Sequence, residues 1–156
     1  MRLRCLWIGE TKKTPFAGLE AEYLDRIRRF VPISVATVPE MRKVDPRKRV
    51  SQENKETRLL EKKIDAKSFL VVLDETGKEF TSVGFAELLE NLMNRSGPEV
   101  VFLGGGHAGI PRALVDRSDL RVSLSRLTLP HELARVVLLE QIYRSLSIIR
   151  GLPYHR

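Results

Sequence analysis

The chain has 156 residues, of which 42% are hydrophobic, and carries a formal net charge of +7. This length and composition suit one core, so we expect a single domain over residues 1–156. The single cysteine, Cys5, excludes internal disulfide bonds, and no apolar run is long enough for a membrane span or a signal peptide. We therefore expect a soluble, cytoplasmic protein.

Apolar periodicity predicts short strands that alternate with helices. The strands are expected at 2–9, 33–38, 69–73, 99–103 and 120–123, and the longer helices at 14–30, 51–64, 82–94 and 130–150. A short helix is expected to begin at Pro111. The polar segment 74–78 is predicted to be a turn, and 40–49 a mobile loop. Strands joined by helices predict an α/β fold, in which a parallel sheet has helices on both faces.

The ends of two helices have recognisable signals. Ser82 is a candidate cap of the third helix, and segment 96–98 is expected to end it. Pro130 suits the first turn of the last helix, with Thr128 as a candidate cap. That helix is apolar on more than one side, so we expect it to pack against its own sheet and against another subunit.

The positive charge is concentrated in two clusters. The clusters consist of Arg26, Arg28 and Arg29, and of Arg42, Lys43, Arg47, Lys48 and Arg49. Lysine and arginine patches of this kind typically neutralise nucleic-acid phosphates. We favour phosphate contact over the alternative of a solvated charged loop. Because no aromatic residue lies within the second cluster, base stacking is not expected there.

Three loops follow strands at the carboxyl edge of the predicted sheet, after Leu73, Leu103 and Ser123. In open parallel sheets ligands bind at this edge. The glycine-rich loop 104–109 lacks the lysine of a phosphate-binding loop and does not fit the dinucleotide fingerprint. It therefore indicates either a close approach of the backbone to a flat ligand or a tight turn.

Several motifs together resemble one family. They are Leu73-Asp74 with Gly77-Lys78, the glycine loop through Gly109, Leu124-Ser125, Leu127-Thr128-Leu129-Pro130-His131, Tyr143-Arg144 and Pro153-Tyr154-His155-Arg156. In this order and spacing the chain is similar, from end to end, to the ribosomal large subunit methyltransferase H family. These are SPOUT-class enzymes that methylate N3 of a pseudouridine in 23S ribosomal RNA.

The resemblance implies a C-terminal trefoil knot, a homodimer, and S-adenosylmethionine bound in the knot, with no metal. It also implies that the partner is the large ribosomal subunit or the assembled ribosome. The cofactor contacts carried over to this chain are Leu73, Gly105, Leu124, Ser125, Arg126, Leu127, Thr128 and Leu129. Backbone groups of these loops would read the adenine edge while leucines cover its faces.

One position departs from the family pattern. Before the last glycine of the loop the family often has an acidic residue, whereas this chain has His107-Ala108. His107 is therefore expected either to replace the acid's role or to be a solvent-facing loop residue.

Methylation of an imide nitrogen requires alignment, a route for one proton and stabilisation of charge on the neighbouring oxygens. The candidate catalytic residues are Glu140, Arg144, Tyr154, His155 and Arg156. His155 could accept the proton, the two arginines could hold a phosphate or a pyrimidine oxygen, and Tyr154 could stack on the base.

Less specific interpretations remain open. Glu140 and Arg144 have the spacing of an ordinary surface helix pair, and His131 is expected to be structural. Two rival functions are also open: a SPOUT methyltransferase acting on transfer RNA, and a non-catalytic ribosome-binding or RNA-binding module.

Overall fold

A computed structural model describes residues 1–41, 45–95, 97 and 99–155 of the chain. The strands in these residues are β1 (Leu3–Ile8), β2 (Ile33–Val38), β3 (Phe69–Glu79), β4 (Val100–Gly104) and β5 (Leu120–Ser123). The α-helices are α1 (Thr14–Arg28), α2 (Arg49–Glu61), α3 (Ser82–Met93), α4 (Arg112–Arg117) and α5 (His131–Ile149). Single 3₁₀ turns precede α2 (Pro46–Lys48) and follow α5 (Pro153–His155).

The strands form one sheet in the order β2-β1-β4-β3-β5, and all the pairings are parallel. Each crossover between parallel neighbours passes over a face of the sheet, which is why helices separate the strands along the chain. The central strand, β4, is buried along its whole length. The predicted α/β fold is therefore confirmed.

Alternation along the strands divides the core into two clusters. On one face Leu3, Cys5 and Trp7 of β1 pack with buried residues of α1, α3 and α5. On the other face Leu6 and Ile8 pack with residues of α2 and α4. Side chains of a strand point to opposite faces in turn, so β1, β2, β3 and β4 each contribute to both clusters. The predicted placement of helices on both faces is correct.

The third strand is longer than the sequence indicated. Val122 of β5 pairs both with Leu73 and with Lys78, so the residues between them leave the ladder as a bulge before β3 resumes. The predicted turn at 74–78 is therefore the bulge within a strand that continues to Glu79. Gly77 is required there, because a Cβ would lie 2.7 Å from the Arg121 carbonyl carbon.

Most helix boundaries lie within two residues of the predictions, and α2 ends at Glu61, three residues before the expected Ile64. Thr81, and not Ser82, is the cap of α3, and its Oγ1 accepts a hydrogen bond from the Gly84 amide at 3.0 Å. At α5 the residue before the helix is Pro130, which offers no side-chain cap, so the expectation for Thr128 was wrong. α2 begins at Arg49 instead of Ser51, because a 3₁₀ turn capped by Asp45 leads directly into it.

Some predictions fall on residues outside the described ranges. These are Arg42 and Lys43 of the second basic cluster, Ser96 and Pro98 after α3, and Arg156. In the segment expected to be a mobile loop, 46–49 is helical. No helix among the described residues combines the length and the apolar character that crossing a membrane requires.

Candidate active site

A cleft of about 710 Å³ opens at the carboxyl edge of the sheet. Its walls come from the ends of β3, β4 and β5 and from the first turn and a half of α5. All three loops singled out by the sequence, after Leu73, Leu103 and Ser123, contribute to it. The parallel arrangement explains this convergence, because the strands end at a common edge. The volume is in the range of small-molecule and cofactor sites.

Most of the predicted cofactor contacts line this cleft. They are Leu73, Gly105, Leu124, Ser125, Leu127, Thr128 and Leu129. The eighth, Arg126, has an exposed side chain whose Nε lies 3.0 Å from both carboxylate oxygens of Glu79, outside the cleft. Leu127 is 76% exposed at the rim, which is an unusual environment for a large apolar side chain.

The loop after β5 is held open by its own serines. The Ser125 hydroxyl accepts a hydrogen bond from the Leu127 amide at 2.9 Å, and the Ser123 hydroxyl donates to the Ser125 carbonyl at 3.0 Å. Such local side-chain bonds stabilise a turn without a ladder partner. They shape the loop that lines the cleft.

The glycine-rich loop is fastened by a residue remote in sequence, Glu40. Its Oε1 accepts a hydrogen bond from the His107 amide at 2.5 Å. The His107 side chain is exposed, as one alternative expected, yet its ring centroid lies 4.5 Å from that of His131 in an edge-on contact. Both histidines line the cleft.

Positive and negative groups surround that end of the cleft. Burial, with the positive charge of Arg135, lowers the pKa of His131, so this side chain is neutral at pH 7. Burial alone would raise the pKa of Glu132, but hydrogen bonds from the Lys12 and Lys13 amides, with the charges of His131 and Arg135, lower it overall. His131 is thus suited to accept or donate one hydrogen bond without carrying charge.

A second group of polar side chains lies on the C-terminal half of α5 and on the tail. Oε1 of Glu140 accepts hydrogen bonds from Arg144 Nε at 2.9 Å, from Arg144 Nη2 at 2.5 Å and from the Tyr154 hydroxyl at 3.3 Å. The Arg144 guanidinium also lies over the Tyr154 ring, 4.8 Å from its centroid. We call Glu140, Arg144 and Tyr154 the tail cluster.

The tail cluster is supported by aromatic residues of two helices. Tyr154 packs edge-on against Tyr143, with 4.7 Å between ring centroids, and its hydroxyl lies 3.5 Å from that of Tyr23 in α1. The tail is therefore docked on the body of the protein by the Tyr154 side chain. His155 is exposed beside it, and Arg156 lies outside the described residues.

Electrostatics fix the protonation states within the tail cluster. The hydrogen bond to Glu140 raises the pKa of Arg144, which keeps the guanidinium charged. Burial, the hydrogen bond with Tyr23 and the nearby charge of Glu140 raise the pKa of Tyr154. The phenol therefore remains protonated and is a hydrogen-bond donor, not a base.

Within one chain the tail cluster does not line the cleft. Arg135, the last residue of α5 that lines it, lies five residues before Glu140 and nine residues before Arg144. At 1.5 Å per residue these separations are about 7.5 Å and about 13 Å along the helix axis. The structure thus brings together the predicted cofactor contacts, and separately Glu140, Arg144 and Tyr154, but it does not join the two groups.

Sequence reasoning missed Glu40, Arg135 and Tyr23. Glu40 follows a proline at the exit of β2, a position with no motif. Arg135 is 1% exposed and bonds to the Ile8 carbonyl at 2.8 Å, so it is a buried charge in an apolar helix. A charge next to the apolar run 136–139 was the available signal, because buried charges require partners.

The sequence matches a family model described as "Predicted SPOUT methyltransferase" over residues 1–155. Among curated proteins it is 39% identical over 156 residues to "Ribosomal RNA large subunit methyltransferase H" of Anaeromyxobacter sp. (strain Fw109-5), with 100% of both chains covered.

Two solved structures share the fold at low sequence identity. One is a probable methylase family protein from Haemophilus influenzae Rd KW20, with a TM-score of 0.60 and 11% identity over 99% of this chain and 70% of that chain. The other is a Legionella pneumophila protein described as a "putative methyltransferase" and solved with the bound cofactor SAM. Its TM-score is 0.50 and its identity 10%, over 91% of this chain and 65% of that chain.

Proposed function

Because the chain belongs to the SPOUT methyltransferase family, we propose that it transfers the methyl group of S-adenosylmethionine to N3 of a pseudouridine in 23S ribosomal RNA. The observation that carries the proposal is the cleft, in which three strand-end loops converge at the sites that the family resemblance assigned to the cofactor. We further propose that residues 1–156 form one domain and that it acts in the cytoplasm on assembled ribosomes.

The cleft fits this cofactor in size and chemistry. Apolar side chains of Leu73, Leu127 and Leu129 suit the faces of an adenine, and the backbone of 124–129 offers donors and acceptors for its edge. Asp74 and Glu75 at the same cleft suit a ligand with a positive sulfonium. When bound, S-adenosylmethionine supplies an electrophilic methyl group and leaves as a neutral thioether.

The chain's own residues then have to orient the base and take one proton. In the transfer a nitrogen–methyl bond forms at N3, the sulfur–methyl bond breaks, and the N3 proton leaves to His155 or to solvent. Arg144, held in one orientation by Glu140, would hold a phosphate or a pyrimidine oxygen. Tyr154 would stack on the base or donate a hydrogen bond to a carbonyl oxygen as charge develops there.

We propose that the working unit is a homodimer in which the tail cluster of one subunit completes the cleft of the other. Two observations support it. Glu140 and Arg144 of the tail cluster lie about 7.5 Å and about 13 Å along α5 from Arg135, the last residue of that helix to line the cleft of its own chain. In addition, apolar residues of α5 that a single chain leaves partly exposed, including Val137, Ile148 and Ile149, offer a contact surface.

We also propose a trefoil knot in the C-terminal part, formed where the loop 124–130 passes the glycine-rich loop beside the cleft. Its support is the family and the adjacency of the two segments in the cleft wall. Parts of both basic clusters, Arg29 of the first and Arg47–Arg49 of the second, are exposed and available to RNA phosphates.

The test is transfer of tritium from labelled S-adenosylmethionine to ribosomes and to free ribosomal RNA from cells that lack this protein. We expect label in a large-subunit pseudouridine, identified after digestion to nucleosides, and more label in ribosomes than in free RNA. Transfer RNA is assayed in parallel. Label found in transfer RNA would favour the rival methyltransferase, and a failure to bind S-adenosylmethionine in calorimetry would favour a non-catalytic RNA-binding module.

A further inference from the structure

We propose that Glu40 is a positioning residue for the cofactor cleft: its carboxylate holds the glycine-rich loop in the conformation that binds S-adenosylmethionine. The inference rests on the proposed cofactor site and adds a residue that lies outside every motif of the chain. Glu40 does not line the cleft, so it acts through the loop and not by touching the ligand.

The carboxylate reaches the loop across the carboxyl edge of the sheet. Glu40 follows β2, and the sheet order places β1 between β2 and β4. Its side chain therefore passes the exit of β1, at Gly9, to reach the exit of β4, at Gly106. The hydrogen bond from the His107 amide to Oε1, 2.5 Å long, closes this connection.

Two glycines leave room for the side chain. A Cβ on Gly9 would lie 3.1 Å from Oε2 of Glu40, and Gly9 also has a φ of +78°, which disfavours other residues. A Cβ on Gly106 would clash with Oε1 of the same carboxylate. The Glu40 carboxylate thus lies between the backbones of Gly9 and Gly106, and a side chain at either position would crowd it.

The loop needs an external support because it has little of its own. Between Gly105 and Gly109 the described backbone–backbone hydrogen bond runs from the Gly109 amide to the Gly106 carbonyl, at 3.2 Å, and it belongs to an isolated antiparallel bridge between these two residues. Glycines lose more backbone freedom on ordering than other residues. An anchored His107 amide fixes the middle of the loop, and with it Gly105, at the cleft wall.

The first test is S-adenosylmethionine binding, measured by calorimetry on the full chain with Glu40→Ala, Glu40→Gln and Glu40→Asp. We expect Glu40→Ala to weaken binding about tenfold, since an acceptor for a loop amide is lost. Glu40→Gln keeps an oxygen of the same reach and is expected to stay within about threefold of the parent. Glu40→Asp, one methylene shorter, should resemble Glu40→Ala.

The matched control is Glu61→Ala, which removes an exposed carboxylate at the end of α2, away from the cleft. It should bind the cofactor like the parent. In methyl transfer to ribosomes, Glu40→Ala should raise the KM for S-adenosylmethionine and leave kcat at saturating cofactor nearly unchanged. A merely structural defect would lower kcat and the melting temperature instead and would not be rescued by glutamine.

A second measurement needs no variant. In the parent protein without cofactor, hydrogen exchange of the His107 amide should be slow relative to the neighbouring Ala108 amide, because His107 donates to Glu40. Parent-like cofactor affinity in a folded Glu40→Ala protein, or equally fast exchange at both amides, would overturn the inference. A parent that does not bind S-adenosylmethionine would instead contradict the proposed function on which the inference depends.

Discussion

At the residue scale, the proposed chemistry depends on Glu140, because one of its carboxylate oxygens orients two other side chains. Arg144 and Tyr154 both bond to Oε1, and Glu140 itself is largely shielded from solvent. Its position four residues before Arg144 would equally describe an ordinary helix pair, which contributes only ~0.2–0.5 kcal/mol to a helix. The bond from the tail distinguishes this pair from that alternative.

Replacing Glu140 with alanine should therefore damage catalysis more than stability. We expect kcat for methyl transfer to fall about 100-fold, since the arginine and the phenol lose their common anchor, with cofactor affinity unchanged. Methyl transfer to ribosomes at saturating cofactor measures the rate, and calorimetry measures the affinity for S-adenosylmethionine. Glu61→Ala is the control, because Glu61 is an exposed carboxylate at the end of α2, away from both the cleft and the tail cluster. Parent-like turnover in Glu140→Ala would remove the tail cluster from the mechanism.

Individual residues were predictable only where a motif carried them. The cofactor contacts belong to contiguous runs, so the resemblance could assign them, and all but Arg126 line the cleft. Glu40 could not be found in this way, because its partner His107 is 67 positions away and the contact depends on strand order. Contacts between residues so far apart in the sequence are set by the tertiary structure, and they leave no periodic pattern in the sequence.

At the element scale, α5 is fixed to β1 and α1 through one buried cation. Arg135 donates to the Ile8 carbonyl at 2.8 Å and to Thr11 Oγ1 at 3.0 Å, and its guanidinium lies over the Trp7 ring. Glu20 of α1 completes the network by accepting bonds from Trp7 Nε1 and from the Thr11 hydroxyl. The charge of Glu20 also favours the charged form of Arg135 against the effect of burial.

Arg135→Met should destabilise the fold by about 3 kcal/mol, because Glu20 would remain buried without a compensating charge. Urea unfolding with a constant slope measures the change. The control is Arg112→Met, which removes an exposed ion pair with Asp116 at 2.8 Å and should cost no more than about 0.5 kcal/mol. Equal stabilities for the two variants would indicate that the network does not hold α5 in place.

Elements were predicted well because their signals are local. The five strands and the order of helices follow from apolar runs and from prolines, and most boundaries lie within two residues of the prediction. The bulge in β3 was predicted to be a turn, since a polar stretch with a glycine looks the same in either case. A bulge differs from a turn here because Lys78 resumes the pairing with Val122. That pairing depends on β5, which lies more than forty residues later in the sequence.

At the scale of the whole molecule, the separation of the cleft from the tail cluster predicts complementation between two inactive proteins. Gly105→Val should impair the cleft, because a Cβ there would lie 2.9 Å from the Gly109 carbonyl carbon. Arg144→Ala impairs the tail cluster. In a refolded equal mixture, half of the dimers are mixed and each has one intact composite site, so about a quarter of the parent activity should return.

Each variant refolded alone provides the baseline, and mass measurement in solution confirms the dimer. A mixture as inactive as its two components, with mixed dimers present, would place both halves of the site in a single chain. The sequence could not settle this arrangement. Its motifs identify the residues of both groups, but the relation between copies of a chain is a property of surfaces.

The strand order also determines when the chain can fold during its synthesis on the ribosome. Leu3 of β1 pairs with Val100 of β4. About 100 residues must therefore be synthesised before β1 can pair with β4. α5 emerges later still, and until then the part of the sheet face that it covers, including the Trp7 ring that contacts Arg135, is exposed to water. Proteins with such long-range strand pairing fold slowly, and their folding intermediates expose apolar surface and tend to aggregate. We therefore expect a nascent chain that stalls before α5 to depend on chaperones.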